Sequence, residues 1–160
     1  MDVFSFAMQF EKDGEIFYRN LAEKQTQSGI RNICLMLADA ERAHYHIIEQ
    51  LSRNADIELY ETQLLSEVKN IFAQINASDV AQSDLSTLDM YRTALDLEKE
   101  SMDFYLDLAQ KENDAGRKEI FGVLAEEEKK HIFLLDNLIE FVNRPQTWLE
   151  NAEWNHLDEY

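Results

Sequence analysis

Residues 37–44 read LADAERAH, and residues 124–131 read LAEEEKKH. The two stretches fall into register when the chain is slid by 87 positions, and the register runs without a gap from residues 2–51 onto residues 89–138. Sixteen of those fifty pairs are identical, among them Glu11 with Glu98, Glu41 with Glu128 and His44 with His131. Each half therefore carries one glutamate and, thirty residues later, a Glu-x-x-His.

A spacing of three puts the Glu and the His of that motif on one face of one helix. The first glutamate of each half lies within an apolar stripe: Phe4, Ala7, Met8 and Tyr18 around Glu11, and Tyr91, Ala94, Leu95 and Tyr105 around Glu98. A carboxylate on an apolar face is costly to bury unless it is paired or metal-bound. A lone Glu-x-x-His occurs often by chance and surface glutamates are usually only solvated, but here the motif occurs twice, in register. The two halves supply four carboxylates and two imidazoles, a ligand set for two metal ions. One Glu from each of two helices and Glu-x-x-His from each of the other two is the di-iron carboxylate layout of a helical bundle. Carboxylate mixed with imidazole suits iron, manganese or zinc better than calcium or magnesium.

At 160 residues the chain is expected to form one domain with a substantial core. One proline and four glycines favour long helices. The net charge of −17 argues against nucleic acid or an anionic membrane surface as partner. Such a surface attracts metal cations or a basic redox partner, or simply serves solubility, which is the favoured reading. The single cysteine, Cys34, excludes a disulfide within the chain and fits a reducing compartment. The opening residues MDVFSFAMQFEKDGE lack the basic region and apolar run of a signal peptide, and no apolar stretch approaches transmembrane length.

The pattern predicts four long helices. The first runs from about Val3 to Gln25, with Asp2 as N-cap. A turn near Ser28-Gly29 leads into the second, which reaches about Ser52. The third begins after Ser86, where Ser86-x-x-Asp89 resembles a capping box, and runs to about Glu112. A turn over Asn113–Gly116 leads into the fourth, which ends near Asn143, before Pro145. Two short turns make two antiparallel hairpins. Residues 54–85 form a long crossover, within which Leu64, Leu65, Val68, Ile71, Phe72 and Ile75 predict a short amphipathic helix over Glu61–Ile75. The polar stretch 76–85 is its expected mobile part. Residues 1–143 are read as the bundle. Residues 144–160 are read as an aromatic tail, with Trp148 and Trp154 packing on the bundle or on a second subunit.

Several neighbours of the six ligands carry further expectations. Gly14, one turn after Glu11, costs about 1 kcal/mol relative to alanine in a helix. Ala7, Ala38, Ala94 and Ala125 each lie one turn before a ligand. These small residues either clear space for an oxidant or for carboxylate movement, or serve close helix packing. Glu15 has Met102 as its repeat mate and is read as a seventh ligand, a proton relay or a boundary residue. Tyr18 and Tyr105 either bond a ligand carboxylate or are simply inward tyrosines. Cys34 reads as a small core residue rather than a redox thiol. His46 and His156 have no repeat mate and read as ordinary polar residues.

The segments AMQFEKDGEIFYRNLA (7–22) and ALDLEKESMDFYLDLA (94–109), each followed by its Glu-x-x-His, resemble the ferritin-like domain of rubrerythrins. The FY-x-x-LA after each first glutamate points to that side of the ferritin-like proteins. The resemblance covers roughly residues 1–143, and the tail is similar to tails of rubrerythrin-related proteins. It implies an all-α, ferritin-like four-helix bundle of two repeated hairpins. It implies that Glu11, Glu41, His44, Glu98, Glu128 and His131 hold two iron ions, with manganese or zinc acceptable at the same site. It further implies a cytoplasmic oxidoreductase, often a homodimer, that reduces hydrogen peroxide or else oxidises ferrous iron with dioxygen or peroxide. Two departures stand out. Rubrerythrins proper carry a four-cysteine rubredoxin-like domain, whereas this chain has one cysteine, so electrons are expected from a separate, rubredoxin-like donor. They also carry an extra Glu three residues after the third-helix ligand, where this chain has Ser101. The rival readings are a ferroxidase that handles iron, an oxidase acting on an organic substrate, and a non-enzymatic metal-binding adaptor.

Overall fold

The computed structural model describes residues 2–54 and 85–143. Among them are four helices and no strand: α1 (Val3–Glu23), α2 (Ser28–Ser52), α3 (Leu85–Lys111) and α4 (Ala115–Asn143). The chain divides into two compact units, one holding α1 and α2, the other α3 and α4. In each unit the two helices pack side by side as an antiparallel hairpin. No helix among the described residues is long and apolar enough to cross a membrane. The expected crossover helix Glu61–Ile75, the polar stretch before residue 85, and the tail with Trp148, Trp154 and His156 lie outside the described residues.

Local chemistry sets the helix ends. Asp2 caps α1 as expected, accepting from the backbone N–H of Phe4 and of Ser5 at 3.0 Å each. The end of α1 comes earlier than Gln25. The Gln25 side chain folds back to donate to the Leu21 carbonyl at 2.8 Å, covering an end-of-helix acceptor. Ser28 and Gly29 are the first residues of α2 rather than a turn before it. The cap is Gln27, whose side-chain oxygen accepts from the Ile30 N–H at 2.8 Å. At the far end, Asn54 takes φ 53°, a left-handed conformation that asparagine tolerates. Asp114 closes the second turn by accepting from the Arg117 N–H at 2.9 Å, so α4 starts at Ala115. α3 starts at Leu85, which puts Ser86 inside the helix rather than at its cap. Asp89, the expected acid of that capping box, pairs forward with Arg92 at 3.4 Å.

The buried residues of each helix recur every three and four positions alternately. On α2 the stripe is Ile30, Cys34, Leu37, Glu41, His44, Ile48 and Leu51; on α4 it is Phe121, Leu124, Glu128, His131, Leu135, Leu138 and Val142. On α1 it includes Ala7, Glu11, Tyr18 and Leu21, and on α3 Tyr91, Ala94, Glu98, Ser101 and Tyr105. This 3.5-residue period is the seam of closely packed, nearly parallel or antiparallel helices. The polar ligands occupy middle positions of these seams, with apolar turns on both sides. Glu-x-x-His is thus two successive seam positions, which is why its spacing is three.

Cys34 sits in the α2 seam at 0% exposure, and burial pushes its thiol up to about 12. It packs where the repeat has Phe121, also buried. The thiolate is the reactive form, so Cys34 is inert in the folded chain. A thiol reagent at neutral pH is expected to leave it unlabelled in native protein and to label it fully in denaturant. Fast labelling of native protein would contradict the burial.

Candidate metal centre

All six residues singled out by the repeat are buried: Glu11, Glu41 and His44 in the first hairpin, Glu98, Glu128 and His131 in the second. Each hairpin brings its own three together. In the first, Nδ1 of His44 lies 3.5 Å from a Glu11 carboxylate oxygen. Ligand atoms of Glu11, Glu41 and His44 all fall within 4.8 Å of one another. In the second, Nδ1 of His131 lies 3.2 Å from Glu98 and 3.2 Å from Glu128. Ligand atoms of that trio also fall within 4.8 Å of one another.

These separations fit a metal ion. Two donors that each sit about 2.1 Å from one ion lie roughly 3.0–3.4 Å apart at octahedral to tetrahedral angles. Two carboxylates and one imidazole make a donor set for iron, manganese or zinc.

The electrostatics of the second half-set say what a cation relieves. Burial, then the neighbouring charge of Glu128, pushes the Glu98 carboxyl up to about 8, with His131 opposing. Burial alone would lower the His131 imidazolium, but Glu98 and Glu128 outweigh it and hold it well above the usual histidine range. Near neutral pH the metal-free trio therefore keeps protons that a divalent cation would displace.

Gly14 has a definite purpose. A β-carbon built there would stand 3.1 Å from a Glu41 carboxylate oxygen and 3.4 Å from its Cδ and Cγ. The room opened by the missing side chain is taken by the Glu41 carboxylate. Ala7, Ala38, Ala94 and Ala125 are all buried, as close packing beside the ligands requires. Tyr18 and Tyr105 are buried at matched positions. Glu15 is engaged elsewhere: Arg19 donates to it at 2.6 Å and also reaches Asp39 at 3.0 Å, tying α1 to α2. That engagement argues for the boundary role over the ligand role. His46 is exposed, 3.5 Å from Glu49.

Glu127 escaped the sequence reading. It is buried and pairs with Lys130 at 3.1 Å, and one of its oxygens lies within 4.8 Å of a ring nitrogen of His131. Its signal was a lysine three residues on and an alanine, Ala40, as its repeat mate. In a run of three glutamates that signal is weak, because such a run reads as a solvated face.

The family model for rubrerythrin matches residues 2–139. No curated protein and no solved structure gives a match. The match spans most of the chain, and with the four described helices it identifies the fold class as the ferritin-like four-helix bundle.

Two measurements test the site. Gly14→Ala should raise the stability of the metal-free protein by up to about 1 kcal/mol through helix propensity. It should also displace the Glu41 carboxylate and weaken metal binding. Thermal melts of the metal-free protein and chelator competition read the two effects separately; unchanged metal affinity would contradict the assigned purpose of Gly14. The second test is pH. Below about 8 Glu98 holds a proton that the ion must displace, so metal affinity should rise from about pH 6 to pH 8, by up to about tenfold per unit for each displaced proton. A flat zinc isotherm over that range would contradict it.

Proposed function

The chain belongs to the rubrerythrin family, and on that premise we propose that it is a di-iron protein that reduces hydrogen peroxide with electrons from a separate donor. The observation that carries this reading is the duplicated half-set: Glu11, Glu41 and His44, and Glu98, Glu128 and His131, all buried on helical seams. Under this reading the six residues would supply the donors for two ions. Glu11, Glu41, Glu98 and Glu128 would give the carboxylates, and His44 and His131 the imidazoles. Four carboxylates, at −4, cancel two ferrous ions, at +4, so the filled set is neutral and tolerates its burial.

A bound ferrous pair would supply two electrons, one from each iron, which with two protons convert one hydrogen peroxide into two waters. The protein's own part is placement. Glu-x-x-His fixes one carboxylate and one imidazole on successive seam positions. The apolar turns around them, including Leu37, Leu124 and Leu135, exclude bulk water. Gly14 gives Glu41 room for its carboxylate. The electrons would come from a donor outside the site. The acidic surface, at a net charge of −17, favours a donor with a basic docking face, of the rubredoxin type or similar.

The test is anaerobic ferrous loading, with the iron stoichiometry fixed first, followed by stopped-flow mixing with peroxide or with dioxygen. Two irons per chain, and oxidation much faster with peroxide, are expected. Glu128→Ala should lower the stoichiometry and abolish the fast phase. An equal or faster reaction with dioxygen would replace this reading with a ferroxidase. Failure to retain two irons would overturn the site itself.

A further inference from the structure

Gly14 and Ser101 are mates in the repeat, 87 positions apart, and each follows its half's first glutamate by three residues. At Gly14 the space goes to the Glu41 carboxylate. Ser101 differs. It occupies the α3 seam next to Glu98 at 3% exposure, and its Oγ, shielded from solvent, has no hydrogen-bond partner among the described residues. A serine inside a helix ordinarily turns its hydroxyl back to the carbonyl four residues earlier; Ser101 does not. A buried hydroxyl left unsatisfied costs about 1–3 kcal/mol, and alanine would be both cheaper and a better helix former. The hydroxyl is therefore disfavoured in the chain alone, and a partner supplied by a ligand would remove the penalty.

We propose that the Ser101 hydroxyl donates a hydrogen bond to a small anion of two or three non-hydrogen atoms, held beside Glu98, Glu128 and His131. The inference rests on the metal centre proposed above, since cations would bring the anion there. Its chemistry follows from the site. The Ser101 hydroxyl is a buried, unpartnered donor one helical turn after Glu98, whose carboxylate, with that of Glu128, would repel an anion unless metal ions neutralised it. The Gly14 position offers neither a donor nor space, so the two halves of the repeat are not equivalent toward such a ligand. The second half takes it. For a peroxide-reducing centre this makes Ser101 a residue that binds and orients the substrate.

Azide is the probe. Iron-loaded, oxidised protein of known stoichiometry is titrated with azide by absorbance, as wild type, S101A and S101T. Azide affinity should fall about tenfold in S101A, as expected for one hydrogen bond to a charged acceptor. S101T, which keeps the hydroxyl, should recover it to within a few-fold. Metal stoichiometry should be unchanged in S101A, and the melting temperature of metal-free S101A should be no lower than wild type. Equal azide affinity in wild type and S101A overturns the proposal, as does a wild type that binds iron but no azide. Loss of metal in S101A would show a role in holding the ligand set instead and would also overturn it. A wild type that does not bind two irons fails at the stoichiometry step, which sinks the metal centre rather than the assignment of Ser101 alone.

Discussion

Burying carboxylates on an apolar helical seam is the constraint around which this protein is built. An isolated carboxylate taken out of water costs several kcal/mol even after relaxation, and each hairpin places two of its ligand carboxylates in the middle of a seam. The strain is visible in the second half-set, where burial and the charge of Glu128 push Glu98 up to about 8. The compensation lies along the same helices. Ile30, Leu37, Ile48 and Leu51 flank the ligands on α2, and Leu124, Leu134, Leu135, Leu138 and Phe141 flank them on α4. Each such side chain contributes about 1.5–3 kcal/mol on burial. Helices of 21 to 29 residues are long enough to carry ligands at mid-length and apolar turns on both sides.

The repeat preserves the ligands but not their surroundings. Gly14 is matched by Ser101, Ala40 by Glu127, Glu15 by Met102, and Cys34 by Phe121. One half accommodates the Glu41 carboxylate against a glycine; the other carries a buried hydroxyl and a buried Glu127 paired with the part-buried Lys130. An ion pair such as Glu127 with Lys130 adds no net charge, which a seam tolerates better than a fifth bare carboxylate.

Helix ends show where local reading reached its limit. Asp2 caps α1 as its type and position require, because capping by Asp is a contact between neighbours in sequence. Gln27 is a poor cap by type, yet it caps α2. Gln25 ends α1 by folding back on the Leu21 carbonyl while Arg31 donates to the Gln25 carbonyl at 2.9 Å. These are choices among side-chain conformers of nearly equal local energy, and packing of α1 against α2 selects one.

The sequence by itself determined the four helices, the two hairpins and the six residues that gather as two buried trios. Each rests on a short-range regularity: a period of three to four residues, a spacing of three, and a repeat that places the same types at the same offsets. Tertiary structure alone decided which polar residues lose their water. Glu126, Glu127 and Glu128 are adjacent and identical in type, yet Glu126 is exposed, Glu127 is buried against Lys130 and Glu128 joins His131. It likewise decided that the space at Gly14 belongs to Glu41, from a different helix, and that Ser101 keeps a buried hydroxyl. Burial and close approach depend on residues distant in the chain, and no local pattern encodes them.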